Sequence, residues 1–204
     1  LSRTEVMPAV VFGDPGSGKS CLTRFTLHKL GRGLFDPKRS MGVRALPFRI
    51  ALREFVKDGR ADGYSILRYL IRHRLEVPDH LLKDWLTLLG HFFSNVKPSR
   101  LLLLIDGIDE VTPDTLEYGQ IRQQFEDTTS IARMVFTSRR AGFQPPVQVH
   151  GSFELIELSE ASIHGMIRNW FQAVKRRSPD FAQSFISWIF SDPRRQDMAG
   201  NPCL

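Results

Sequence analysis

Three stretches of this 204-residue chain carry side chains suited to binding a polyphosphate and acting on it. The first is Gly13-Asp14-Pro15-Gly16-Ser17-Gly18-Lys19-Ser20, a full match to the pattern GxxxxGK[ST]. Glycines let the backbone curl closely around phosphate oxygens with its N–H groups pointing inward. A helix beginning at that point adds a favourable dipole for negative charge. Lys19 is then placed to bridge β- and γ-phosphates, and the Ser20 hydroxyl to ligate Mg2+. Gly13 through Ser20, with Cys21 next in line, are the candidate nucleotide-binding residues.

The second stretch, Leu101-Leu102-Leu103-Leu104-Ile105-Asp106-Gly107-Ile108-Asp109-Glu110, is an apolar run that ends abruptly in acid. A carboxylate at the C-terminal tip of a central strand stands where it can hold Mg2+ through water, and Asp106 takes that role. Just beyond it, a carboxylate can accept a proton from the attacking water. Glu110 is the favoured candidate and Asp109 the alternative. The third stretch, Met134-Val135-Phe136-Thr137-Ser138-Arg139-Arg140, ends in basic residues. A guanidinium there can contact a γ-phosphate and report its presence, which makes Arg139 the candidate sensor and leaves Arg140 open beside it.

Such groups need a sheet to bring three strand tips together. Short β-rich runs alternate with longer helical ones along the chain, which is how a parallel α/β sheet is written. The strand candidates are Val6–Phe12, Pro47–Leu52, Leu101–Ile105, Met134–Thr137 and Phe153–Leu158. Together they predict one five-stranded, mainly parallel sheet. AVVF at 9–12 and LLLLI at 101–105 lack polar alternation, as central strands covered on both faces do, so they are expected to be neighbours or near-neighbours. Helices are predicted over Lys19–Leu30, Gly63–Arg74 and His80–Phe93, with a weaker pattern over Leu116–Asp127. Ser159-Glu160-Ala161-Ser162 offers a helix cap, after which the chain reads as helical around Trp170, Phe185, Trp188 and Ile189. A boundary is expected there, giving a nucleotide-binding domain over 1–158 and the start of a helical lid over 159–204.

Composition narrows the class further. With 42% hydrophobic and 25% charged residues the chain can bury a continuous core. No apolar run approaches the ~20 residues that cross a bilayer. Two cysteines, Cys21 and Cys203, at no metal-binding spacing fit a reducing cytoplasm, and Cys21 is expected to act as small apolar packing. His28, His73, His80, His91, His150 and His164 suggest neither a metal site nor a catalytic dyad. The net charge of +6 is scattered in pairs, and its densest cluster, Lys175-Arg176-Arg177, reads as the basic last turn of a helix. Nucleic acid is therefore not a required partner. Leu1 opens the chain with neither an initiator Met nor a signal-peptide layout, so a segment of something longer is expected.

Taken together, GDPGSGKS at 13–20, LLLLIDGIDE at 101–110, FTSRR at 136–140 and GNPCL at 200–204 resemble the NACHT NTPases. These form part of the STAND class of P-loop proteins, which includes animal inflammasome receptors and bacterial anti-phage proteins. The small Gly107 straight after Asp106, followed by Asp109-Glu110, is the most NACHT-like feature. LPFRIALREF at 46–55 and FELIELSEASIHGMIRNWF at 153–171 extend the likeness. The resemblance implies that Pro202 packs on an adenine base, that the cofactors are ATP or ADP with Mg2+, and that hydrolysis is slow. It also implies a signalling switch, resting with ADP and assembling with ATP into a homo-oligomer. Sensor and effector domains would flank the module, as would a winged-helix domain. Arg140 stands where the family often has proline, and Cys203 where an aliphatic residue is usual. Two other classes share much of this pattern. One is a continuously cycling AAA+-type machine, with Arg168, Arg194 or Arg195 as a lid sensor. The other is a non-catalytic nucleotide-dependent scaffold. No Asn-Lys-x-Asp motif points to guanine.

Overall fold

The computed structural model describes residues 8–35, 45–60, 63–95, 101–111, 116–175 and 179–200. Pro202 and Cys203 lie outside them, as do Val6 and the Arg176-Arg177 part of the basic cluster. By their contacts the residues form two compact units. Lys19–Glu154 and the chain up to Phe12 make the first, while Gly13–Gly18 groups with the chain from Leu155 onward.

The first unit is built on five strands, β1 (Ala9–Phe12), β2 (Leu46–Ala51), β3 (Leu101–Asp106), β4 (Arg133–Ser138) and β5 (Gly151–Glu154), in the order β2-β3-β4-β1-β5. Every pairing is parallel. Parallel neighbours need crossovers, which α1 (Lys19–Phe35), α2 (Leu52–Gly59), α3 (Ile66–His73), α4 (Leu82–Asn95) and α5 (Leu116–Thr128) supply. The two apolar strands β1 and β3 are near-neighbours with β4 between them, and their side chains are buried because helices cover the sheet. Register sets Ala51 opposite Asp106 and Phe12 opposite both Ser138 and Glu154, so the strands end in one row of tips.

The core is aromatic and aliphatic. Phe55, Tyr69, Phe125 and Phe136 are all but fully buried, and edge-to-face contacts join Phe55 to Tyr69 and Phe125 to Phe136 at 5.1 and 5.7 Å between centroids. Helix α1 packs on β2, β3 and β4. Its buried stripe runs through Thr23 and Leu30.

Helix α2 is missing from the sequence reading, which runs the second strand on to Leu52 where that helix begins, and two further elements differ from it. The last strand covers Gly151–Glu154 instead of Phe153–Leu158: its partners on β1 are Ala9 to Phe12, and the chain beyond Glu154 leaves the sheet. As an edge strand with a largely exposed face it shows little apolar signal in sequence. Helix α3 starts at Ile66 rather than Gly63, because Gly63 and Tyr64 hold φ of +61° and 58° and Ser65 caps the helix by accepting from the Arg68 amide.

In the second unit, Ser159 caps α6 (Glu160–Trp170) by accepting from the Ser162 amide, as the sequence predicts. The helix continues as a π-helical turn over Phe171–Lys175, followed by α7 (Pro179–Phe190) and α8 (Pro193–Gly200). Ile163, Ile167, Phe171, Ala182, Ile186 and Ile189 form its core.

Candidate functional site

The glycine-rich loop closes on itself. The Ser17 amide donates to the Asp14 carbonyl at 3.1 Å, and Gly16 and Gly18 adopt φ of 82° and 93°, a left-handed conformation that residues with a Cβ rarely take. The Ser17 hydroxyl is buried without a hydrogen-bond partner. A buried polar group without a partner is costly, and here it is one that a phosphate oxygen would satisfy. At Gly18 the chain passes directly into α1, whose first residues are Lys19 and Ser20. Cys21 is exposed, contrary to the packing role expected of it. The α1 stripe that meets the sheet runs through Thr23, and a residue two positions earlier points away from it.

Asp106 ends β3 and is 7% exposed. Both of its oxygens are engaged. The Thr137 hydroxyl donates to Oδ1 at 2.6 Å, and Arg49 Nη2 donates to Oδ2 at 2.5 Å. The Ser20 hydroxyl, at the start of α1, also favours the charged form of this carboxylate. Burial alone would push the Asp106 pKa up. The hydrogen bonds from Thr137 and Arg49, with the Ser20 hydroxyl and the Arg49 charge, outweigh it and hold the carboxyl below its ordinary value. Asp106 is thus an anion at neutral pH, and one of the groups that favours its charge is the hydroxyl that the sequence also proposes as a metal ligand.

Thr137 serves a second purpose, since its hydroxyl accepts from the Gly107 amide at 3.0 Å and so ties the β3 tip to β4. Gly107 itself is left-handed, with φ of 81°, and starts a short 3-10 turn over Ile108–Glu110. The Glu110 side chain folds back against it: a Cβ on Gly107 would lie 2.9 Å from Glu110 Cδ. Gly107→Ala is therefore expected to cost about 1–2 kcal/mol in a denaturant titration from backbone strain alone, and to push Glu110 off the tip. Gly119→Ala, in α5 with open space around it, is the matched control and should be neutral or mildly stabilising.

The two acids of the turn have different surroundings. Asp109 is held by one residue from both sides: the Arg139 amide donates to Oδ1 at 3.1 Å and Arg139 Nε pairs with Oδ2 at 3.2 Å. Glu110 is exposed. The two arginines of the β4 tip also separate. Arg139 turns to Asp109, whereas Arg140 pairs with Glu154 at 2.9 Å and lies over the Phe12 ring at 4.9 Å. Arg168, Arg194 and Arg195 make their contacts inside the helical unit, to Gln183, Asp192 and Trp188.

Arg49 and Thr137 carry no role in the sequence reading. A signal for Arg49 exists: it is the lone charge in the strand Leu46-Pro47-Phe48-Arg49-Ile50-Ala51, and a charge in such a strand needs a buried partner. Thr137 offers none, because β-branched hydroxyl residues are ordinary in strands.

In the first unit, the Ser20 hydroxyl and the ionised Asp106 carboxylate are groups of the kind that hold a divalent cation, and in the second the loop Gly13–Gly18 carries a buried hydroxyl without a partner. The protein-family model for the NACHT domain matches residues 7–174. Among solved structures, Drosophila ORC bound to DNA superposes with a TM-score of 0.54 at 14% identity, over 90% of this chain and 50% of that one. Domain III of the Thermotoga maritima replication initiation protein DnaA gives 0.46 at 15% identity, over 81% and 61%. A STAND signal-transduction ATPase with a tetratricopeptide repeat sensor from Pyrococcus horikoshii gives 0.40 at 12%, over 96% and 26%. In each case this chain spans less than two thirds of the matched protein's length. No curated protein matches it. Among the described residues no helix is long and apolar enough to cross a membrane.

Proposed function

Because the chain belongs to the NACHT family of P-loop NTPases, we propose that it is an ATP-binding, Mg2+-dependent, slowly hydrolysing module that works as a nucleotide-controlled oligomerisation switch. The observation that carries the nucleotide part is the buried, ionised Asp106 at the tip of β3, held by Thr137 and Arg49 with the Ser20 hydroxyl favouring its charged form. When bound, Mg2+ supplies positive charge to the phosphate oxygens. The loop Gly13–Gly18 offers backbone N–H groups and the Ser17 hydroxyl to the phosphates, and the Lys19 ammonium adds charge where the β- and γ-groups lie. Thr137 fixes the rotamer of Asp106 so that its carboxylate is presented in one orientation.

Glu110 takes the proton of the attacking water. Its carboxyl lies against Gly107 and is exposed, while both oxygens of Asp109 are held by Arg139. Asp109 then acts as the positioning group for Arg139, whose guanidinium senses the γ-phosphate. Arg140, engaged with Glu154 and Phe12, anchors the β4 tip to β1 and β5. Pro202 stacks on the adenine, on the family likeness alone.

The switch itself rests on family membership. Within a larger protein, an innate-immune or anti-phage setting fits it best, with flanking parts providing stimulus and output. Light scattering on the purified chain in Mg2+ with ADP, and separately with a non-hydrolysable ATP analogue, tests it. A monomer with ADP and a discrete homo-oligomer with the analogue is expected. A monomer under both conditions, with steady hydrolysis stimulated by DNA or by unfolded polypeptide, would instead identify a cycling machine.

A further inference from the structure

Arg49 does more at Asp106 than lower its pKa. It sits on β2 at the level of Leu104, two residues below the strand tips, and its side chain reaches up along the sheet to Oδ2. Its Nε donates to the Thr23 hydroxyl at 3.1 Å, and Thr23 in turn donates to the Ser20 carbonyl at 3.0 Å. Guanidinium, helix start and carboxylate therefore form one connected group of side chains. Thr137 already holds Oδ1, which makes Oδ2 the oxygen that Arg49 has taken. A hydrated cation brought to the same oxygen would compete with the guanidinium for it, with like charges close together in a partly buried setting.

A way out exists beside it. A cavity of about 280 Å³ opens between α1 and β2, lined by Arg24, Leu27, Pro47, Phe48, Arg49 and Arg74. It has room for a guanidinium. It is an unfavourable place for one, because two of its walls are the cationic Arg24 and Arg74, and the Glu54 carboxylate near Arg74 is already paired with it at 2.7 Å. Turning into the cavity also gives up two hydrogen bonds, to Asp106 and Thr23.

We propose that Arg49 is a built-in competitor of the divalent cation for Asp106: its guanidinium holds Oδ2, and cation binding at that carboxylate requires it to turn toward the cavity between α1 and β2. The competition raises the cation concentration needed to fill the site. It also couples filling to a shift of β2 side chains against α1, through Thr23. The inference rests on the proposed reading of Ser20 and Asp106 as the metal-binding pair.

Mn2+ binding, followed by the electron paramagnetic resonance signal of the free aqueous ion at saturating ADP, tests it without any turnover. Arg49→Met is expected to bind Mn2+ about tenfold more tightly than the parent chain, since the guanidinium's hydrogen bonds to Asp106 and Thr23 no longer have to be broken. Equal or weaker binding would overturn the proposal and make Arg49 a group that merely orients the carboxylate. Arg49→Lys keeps the charge but not the fork, so it secures the test should the methionine variant fail to fold. Tightening by a smaller factor is expected of it, and equal or weaker binding again overturns the idea. A parent chain that takes up no Mn2+ beyond that held by ADP in solution would overturn the metal-site reading itself, and this inference with it.

Discussion

Lys19→Ala is expected to weaken ATP binding by about a hundredfold or more, the effect of removing about 3 kcal/mol of charge-assisted hydrogen bonding to the polyphosphate. Lys19 is the first residue of α1, outside the buried core, and alanine is the best helix former, so the fold should survive. Calorimetric titration of the parent and variant chains gives the ratio directly. Undiminished affinity in the variant would reject the loop as the phosphate site. A matched far-ultraviolet circular dichroism spectrum separates lost binding from lost structure.

Glu110→Gln should leave ATP affinity within a few-fold of the parent and cut single-turnover hydrolysis by about 10²–10⁴, the range supplied by a positioned general base. Glutamine keeps the shape that packs over Gly107, so the substitution removes the proton acceptor and little else. Asp109→Asn should behave differently. It weakens the hold on Arg139 from both the amide and Nε, and the expected result is a lost preference for ATP over ADP, with a smaller fall in rate. Unchanged turnover in Glu110→Gln, with a collapse in Asp109→Asn, would exchange the two roles.

Much of this arrangement was legible before any fold was known, for reasons particular to each segment. The phosphate loop is contiguous: eight adjacent residues, Gly13 to Ser20, carry the turn, the helix start and the charges. The strand ending in Asp106 is announced by five apolar residues stopping at an acid. Ser159 caps a helix through a bond to a residue three positions on, which is local chemistry. The reading failed where the signal is weak or must come from elsewhere in the chain. Strand β5 owes its place to register with β1, and Cys21 owes its exposure to the phase of α1 against the sheet.

The choices within pairs were of the second kind. Sequence favoured Glu110 over Asp109 and Arg139 over Arg140 without fixing which one faces inward, because adjacent residues share composition and differ only in direction. Direction was decided by the left-handed Gly107 and the 3-10 turn after it, which lay Glu110 over the strand tip and aim Asp109 at the neighbouring strand. The Arg49–Asp106 bond joins residues 57 apart on adjacent parallel strands, and Thr137–Asp106 joins residues 31 apart. By itself the sequence determined that a phosphate loop, an acidic strand tip and a basic strand tip exist, since each is written in a run of neighbouring residues. Only the tertiary structure decided which side chains meet at Asp106, because parallel strands pair through long crossovers whose register no local run encodes.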